Sequence, residues 1–285
     1  MTGTRRLVRR LFPRPLRNWV RAPRKTMRWI SDAALHAVGA DRTLDLKPDW
    51  RLRCHPTAFR AIRSTQLDDP AQSAELAEFI GCCEPGMVLF DLGAHFGAFS
   101  LAALHYGGGR ARAFAVEPSP AAARIMRIQA DLNTVGGRLS VIQAAAAEAP
   151  GTQEMLAAGV IADGYFVAAT SDRPERELTR VNAVSIDSLA ASAGVRPTHL
   201  KIDVEGFEAA ALRGGRATLS ADDRPVVFLE LHVQMVRERG GDPAEALDFL
   251  ARCGYEEFTL NGAPATHEQL LQAPITRLVA RTAMR

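Results

Sequence analysis

The sequence predicts an α/β protein: a doubly wound, mostly parallel sheet behind a basic N-terminal extension. Three observations carry this. Short apolar runs of strand length alternate with helix-length segments from about residue 87 to the C-terminus. Glycines and carboxylates gather just after those runs, where open parallel sheets bind ligands. The chain has 285 residues, 47% of them apolar and 24% charged, enough for one large core without covalent staples.

The elements follow in chain order. Residues 1–31 carry ten Arg or Lys and no acid, leaving 25 basic against 32 acidic groups in the body, a net of −7. Arginines interleave there with Leu7, Leu11, Phe12, Trp19 and Trp29, while Pro13, Pro15 and Pro23 forbid one continuous helix. Residues 1–40 are therefore read as a basic extension, partly disordered, and 41–285 as the domain, with its core over about 70–280. Basic pieces with tryptophans suit an anionic membrane surface, so residues 1–30 are expected to make a peripheral contact. No apolar run is long enough to span a membrane, and no apolar core of a secretory signal follows the arginines. The four cysteines form no C-x-x-C pair and read as thiols of a reducing, cytoplasmic compartment.

Residues 75–80 end a helix that Pro85-Gly86 breaks. Residues 87–90 form the first strand, residues 98–106 a helix, and residues 111–116 the second strand. Ser119 and Pro120 then open a helix running to Leu132. A third strand spans 139–143. Residues 145–180 read as a hairpin or loop over the sheet, 181–186 as extended, and Asp187 as the start of a short helix. The fourth strand is 199–202, followed by a helix over 208–219. The fifth strand is 225–231, with a helix at 243–252 and the last two strands at 255–260 and 275–280.

The strand ends carry the chemistry. After the first comes D-x-G-x-x-x-G: Asp91, Gly93 and Gly97, with Ala94 and His95 between the glycines. The glycines let a ligand approach the backbone in front of a helix N-terminus. This is not the dinucleotide G-x-G-x-x-G, and a carboxylate opening the turn would repel a pyrophosphate. After the second strand, Glu117-Pro118 offers a carboxylate to ribose hydroxyls. The set suits S-adenosylmethionine, with its cationic amino acid at the turn and its ribose on Glu117. After the fourth strand come Lys201, Asp203 and Glu205, which alternation places on one side, and after the fifth come Glu230 and His232.

The strings PGMVLFDLGAHFGAFS, AVEPSP, SIDSLAA, HLKIDVEGFEAAALRGG and VVFLELH resemble the FkbM-type family of S-adenosylmethionine-dependent methyltransferases over about residues 70–280. The resemblance implies a class I, Rossmann-like methyltransferase fold: a seven-stranded, mostly parallel sheet with its last strand antiparallel. It implies O-methylation of a hydroxyl on a sugar of a polysaccharide or glycolipid, or on a natural product. It also implies S-adenosyl-L-methionine held by Asp91, Gly93, Gly97 and Glu117, with Asp203 near the methyl group.

An alcohol oxygen must lose a proton on methylation, and a positioned base contributes about 10²–10⁴-fold. Asp203, His232 and Glu205 are the candidate bases, with Lys201 as a positioned donor. Asp203, Glu205, Glu230 and His232 are also oxygen and nitrogen donors. Their spacing fits no ligand pattern and the resemblance implies no metal, so none is expected. The alternative function is a methyltransferase-fold binding module without turnover. Nucleic acid is not expected as a partner: the body is acidic, and the fourth strand ends in KIDVEG rather than in an N-P-P-Y-type tetrad for flipped bases.

Overall fold

The computed structural model describes residues 23–156, 167–168 and 178–283. Residues 1–22, most of the expected basic extension, lie outside the described residues. The chain opens with α1 (Pro23–Ala37), the antiparallel hairpin β1 (Arg42–Lys47) and β2 (Trp50–Cys54), α2 (Pro56–Gln66) and α3 (Pro70–Gly81). Asp32 of α1 is buried against α2, where it pairs with Arg60 and accepts from Thr57 Oγ1 at 3.0 Å.

The first half of the main sheet then forms: β3 (Val88–Leu92), α4 (Ala98–Tyr106), β4 (Arg112–Val116), α5 (Pro120–Leu132) and β5 (Leu139–Ile142). Ser119 caps α5 as expected, accepting from the Ala122 N–H at 3.3 Å, with Pro120 in the first turn. A small second sheet follows, built from β6 (Ala145–Ala146), β7 (Gly151–Leu156), β8 (Val167–Ala168) and β9 (Leu178–Val184) in the order β6-β9-β7-β8. The antiparallel pair β7–β9 is the hairpin expected within 145–180; residues 157–166 and 169–177 lie outside the described residues.

The second half runs α6 (Ile186–Ala193), β10 (His199–Ile202), α7 (Glu208–Arg213), α8 (Arg216–Leu219), β11 (Val226–Leu231), α9 (Val233–Glu238) and α10 (Ala244–Arg252). It closes with β12 (Glu257–Leu260), β13 (Ala263–Pro264), α11 (His267–Leu270) and β14 (Thr276–Arg281). The main sheet has the order β13-β12-β14-β11-β10-β3-β4-β5. Strands β5, β4, β3, β10 and β11 are parallel, and β14 is antiparallel to β11 and β12. The reversed last strand matches the expected class I arrangement.

The sheet has eight strands, not the seven expected. The extra one is β13, which Asn261-Gly262 folds back onto β12. Both turn residues have positive φ, 53° and 76°, as a tight hairpin turn requires. The helix predicted over 208–219 is two helices, separated at Gly214-Gly215, where Gly214 packs so closely that a Cβ would strike the Ala147 carbonyl. The helix after β9 starts at Ile186 behind the cap Ser185, one residue before the expected Asp187. Ser185 forms a reciprocal cap with Ser188, while Asp187 accepts the Ala217 and Thr218 N–H groups at 2.9 and 2.8 Å and so caps α8.

Alternation along the strands divides the core into two layers. Leu89, Phe79, Leu101, Met126 and Phe228 fill one side of the sheet. Phe90, Leu92, Leu200, Ile202, Leu229 and Leu247 fill the other.

Candidate active site

The D-x-G-x-x-x-G turn is held from both ends. Asp91 is buried at the end of β3 and accepts from Ser100 Oγ at 2.6 Å and Ser100 N–H at 3.1 Å, tying the strand to the first turn of α4. Gly93 has φ 83° and donates its N–H to the Val116 carbonyl at 2.9 Å. A Cβ on Gly93 would fall into the backbone carbonyl of Asp203. The cofactor turn and the turn after β10 therefore touch directly. Gly97, just before α4, lies against Met126, whose Cγ would be 2.9 Å from a Cβ there.

Glu117 is buried at the end of β4. One carboxylate oxygen accepts the His95 N–H at 2.9 Å and the other the Ser119 N–H at 2.7 Å. The group thus braces the left-handed His95 (φ 49°) of the glycine turn, and each oxygen keeps a lone pair for a hydroxyl donor. Burial pushes its carboxyl up to about 7; the two backbone N–H groups oppose this, while Asp91 and Asp203 add to it. Burial likewise raises Asp91 to about 6, with Ser100 and Lys201 opposing. Ala94 is buried within the turn, and Pro118 lies between Glu117 and the cap of α5.

This donor set fits S-adenosylmethionine. Two buried carboxylates whose ionisation is penalised would be relieved by a cation and by hydroxyl donors, and the close backbone approach at Gly93 leaves room for no side chain. Asp91, Gly93 and Glu117 are the residues that would hold it, and the cofactor supplies an electrophilic methyl group on a sulfonium.

The second group gathers around His232, which follows β11 and is buried. Its Nδ1 lies 2.9 Å from Glu208 Oε1, at the start of α7. Its Nε2 is 3.5 Å from Glu205 Oε2 and 3.9 Å from both Asp203 Oδ1 and Glu230 Oε1. Burial alone would lower its pKa; the hydrogen bond and charge of Glu208, then Asp203 and Glu205, raise it to about 9. Burial raises Asp203, and it raises Glu205 to about 7. Glu205 reaches this group from a left-handed backbone (φ 54°), which Arg239 braces by donating to the Glu205 carbonyl at 2.6 Å. The strand alternation that would have stacked Glu205 above Lys201 ends there.

Lys201 belongs to a third group. It is 1% exposed, with Nζ 2.8 Å from Glu75 of α3 and 3.8 Å from Glu230. Arg277 of β14 completes the set, 3.2 Å from Glu75 and 2.6 Å from Glu230. Its carboxylate neighbours keep Lys201 charged against the pull of burial. The residue is a structural cation under the site, bonded to Glu75 rather than offered to the cleft.

The structure thus brings Asp203, Glu205 and His232 together, sets Asp91, Gly93, Ala94, His95, Gly97 and Glu117 along the adjoining turns, and buries Lys201 beneath. Sequence reasoning missed Glu208, Glu75 and Arg277. Glu208 stood in the quoted KIDVEGFE block but read as a helix-terminal acid. Glu75 is an acid on the buried face of a helix, a signal that was readable.

A mostly parallel sheet with a reversed last strand, a carboxylate–glycine turn and a second carboxylate after the next strand define an S-adenosylmethionine-dependent methyltransferase. The family described as the methyltransferase FkbM domain matches residues 91–257. The chain belongs to the FkbM methyltransferase family, and its cofactor is S-adenosylmethionine. No curated protein matches the sequence. Similar solved structures include the precorrin-6y C5,15-methyltransferase of Geobacter metallireducens GS-15, at 15% identity and TM-score 0.40, covering 73% of this chain and 86% of that one. A putative rRNA-methylase of Clostridium thermocellum matches at 10% identity and TM-score 0.44, covering 75% and 97%. Trm5 of Methanocaldococcus jannaschii, in complex with adenosine, matches at 13% and 0.42, covering 84% and 53%.

Proposed function

We propose that the chain transfers the methyl group of S-adenosylmethionine to a hydroxyl, on a sugar of a polysaccharide or glycolipid or on a natural product. The observation that carries this is the position of Asp203. Its backbone packs against the turn at Gly93, while its carboxyl, about a third exposed at 35%, stands beside Glu205 and His232. Alignment of acceptor oxygen, methyl carbon and sulfur supplies most of the rate for a donor this electrophilic. The remaining task is the proton of the alcohol, and Asp203 is the carboxylate placed to take it. His232, oriented by Glu208, lies 3.9 Å from that carboxylate and 3.5 Å from Glu205, and its charge favours the ionised form of both.

Asp203→Asn should lower kcat by about 10²–10⁴-fold while leaving S-adenosylmethionine affinity within a few-fold. Turnover is followed by the S-adenosylhomocysteine formed from S-adenosylmethionine when a lysate-derived glycan or glycolipid fraction is added as acceptor, and affinity by calorimetry. Unchanged turnover removes Asp203 from the role of base. A chain that binds the cofactor, shown by a raised Tm, yet methylates no hydroxyl-bearing fraction would be a binding module.

We further propose that the protein acts in the cytoplasm and docks on anionic membrane through its N-terminal region. No helix among the described residues is long and apolar enough to cross a membrane. Helix α1 turns Asp32 toward the body and leaves Met27 and Ile30 61% and 50% exposed, three residues apart on the helix. In the sequence these residues stand among the ten cations of residues 1–31, whose charge would complement an anionic lipid surface. The full chain should co-sediment with phosphatidylserine vesicles and not with phosphatidylcholine vesicles, and Met27→Glu with Ile30→Glu should release it. A full chain that ignores both vesicles defeats the proposal.

A further inference from the structure

We propose that Asp203, Glu205 and His232 form a binding site for one divalent transition-metal cation, of the Mn²⁺ or Zn²⁺ type, at the mouth of the active site. This rests on the methyltransferase reading above and goes beyond it, because neither the cofactor nor the general base requires a metal.

The first observation is the convergence of donors. His232 Nε2, a Glu205 oxygen and an Asp203 oxygen all lie within 4.8 Å of one another, with Nε2 3.5 Å from Glu205 and 3.9 Å from Asp203. Ligand atoms on one cation at about 2.1 Å stand about 3.0 Å apart when adjacent and about 4.2 Å apart when opposite. The observed separations fall around that range, so small rotations of two carboxylates close the set.

The second observation is independent of the acids. His232 is buried, and Glu208 fixes the orientation of its ring from Nδ1 at 2.9 Å. Glu208 Oε1 already accepts the Gly206 N–H at 2.8 Å, so it meets Nδ1 as an acceptor and fixes the proton there. Nε2 faces the oxygens of Glu205 and Asp203 at 3.5 and 3.9 Å, ion-pair distances rather than those of a closed hydrogen bond. A divalent cation placed there would displace the proton that Nε2 holds toward the two carboxylates. A carboxylate that orients the far nitrogen of a histidine is the usual support behind a metal-bound imidazole.

The chemistry of the set selects the metal. One imidazole with two carboxylates favours Mn²⁺ or Zn²⁺ over Ca²⁺, which takes oxygen ligands. Three protein ligands leave positions open to an incoming oxygen, as catalytic sites do. Asp203 and Glu205 are the partly exposed members, so those positions face the acceptor side of the cleft. Lys201 and Arg277 do not occupy the site, because both are engaged with Glu75 and Glu230. A cation there would hold the acceptor hydroxyl by its oxygen beside Asp203.

The test is Mn²⁺ titration of the full-length chain, without cofactor or acceptor, reading free Mn²⁺ by electron paramagnetic resonance. One Mn²⁺ should leave the free signal per chain, Zn²⁺ should displace it, and Glu205→Gln and His232→Gln should each weaken binding at least tenfold. Glu205 lies on a turn at the surface of the group, so its variant keeps the test meaningful if the His232 variant fails to fold. S-adenosylmethionine calorimetry on the same samples reports the cofactor site separately. No Mn²⁺ bound at millimolar concentration, or binding unaltered in Glu205→Gln, overturns the metal site while leaving the methyltransferase reading intact. Failure to bind S-adenosylmethionine overturns that reading instead.

Discussion

On the reading that Glu117 holds the cofactor's ribose, this residue couples cofactor binding to a proton. Its carboxyl titrates near 7 in the fold, against about 4.5 in an open chain, so the folded protein holds the proton more tightly and ionisation is penalised. Ribose hydroxyls donate to the carboxylate and favour its ionised form. Cofactor affinity should therefore be full above about pH 7 and fall as pH drops, by up to about tenfold per pH unit toward pH 5. Calorimetry across that window checks this, and Glu117→Gln should weaken binding and flatten the slope, leaving the smaller dependence from Asp91. A flat profile in the unaltered chain would separate Glu117 from the ribose. Glu117 and Asp91 were legible in the sequence because each directly follows an apolar strand. Glu208 was not: its importance lies in meeting His232, 24 residues away, and nothing local marks that meeting.

At the level of elements, the alternating core from β3 to β5 and from β10 to β11 was readable within a residue or two, since strands buried on both faces write long apolar runs. The misses have local causes that need a partner to be seen. The 208–219 segment has the composition of one helix, yet it divides at Gly214-Gly215, where Gly214 packs against the Ala147 carbonyl, 67 residues earlier in the chain. Hairpin β1–β2 alternates cleanly, burying Leu44, Leu52 and Trp50 against Arg42, Arg51 and Arg53 outside, and this period-two signal was passed over. Asn261-Gly262 was an equally visible turn, and overlooking it removed β13 from the expected sheet.

Across the whole molecule, one buried ionic group ties the parts together. Glu75 on α3, Lys201 on β10, Glu230 on β11 and Arg277 on β14 join the helix before the sheet to three of its strands. Lys201→Met would leave two carboxylates with Arg277 alone and should cost about 3–5 kcal/mol, since an uncompensated buried charge is expensive. Urea unfolding measures this, and adding Glu75→Leu should recover part of the loss; a stability unchanged by Lys201→Met would mean the charges are solvated. The contact of Gly93 with the Asp203 carbonyl has a different reach. It fuses the glycine turn to the turn after β10, so neither can drift alone. On the function proposed above, any lineage retuning its acceptor must do so elsewhere, with the spacing between methyl group and base inherited unchanged.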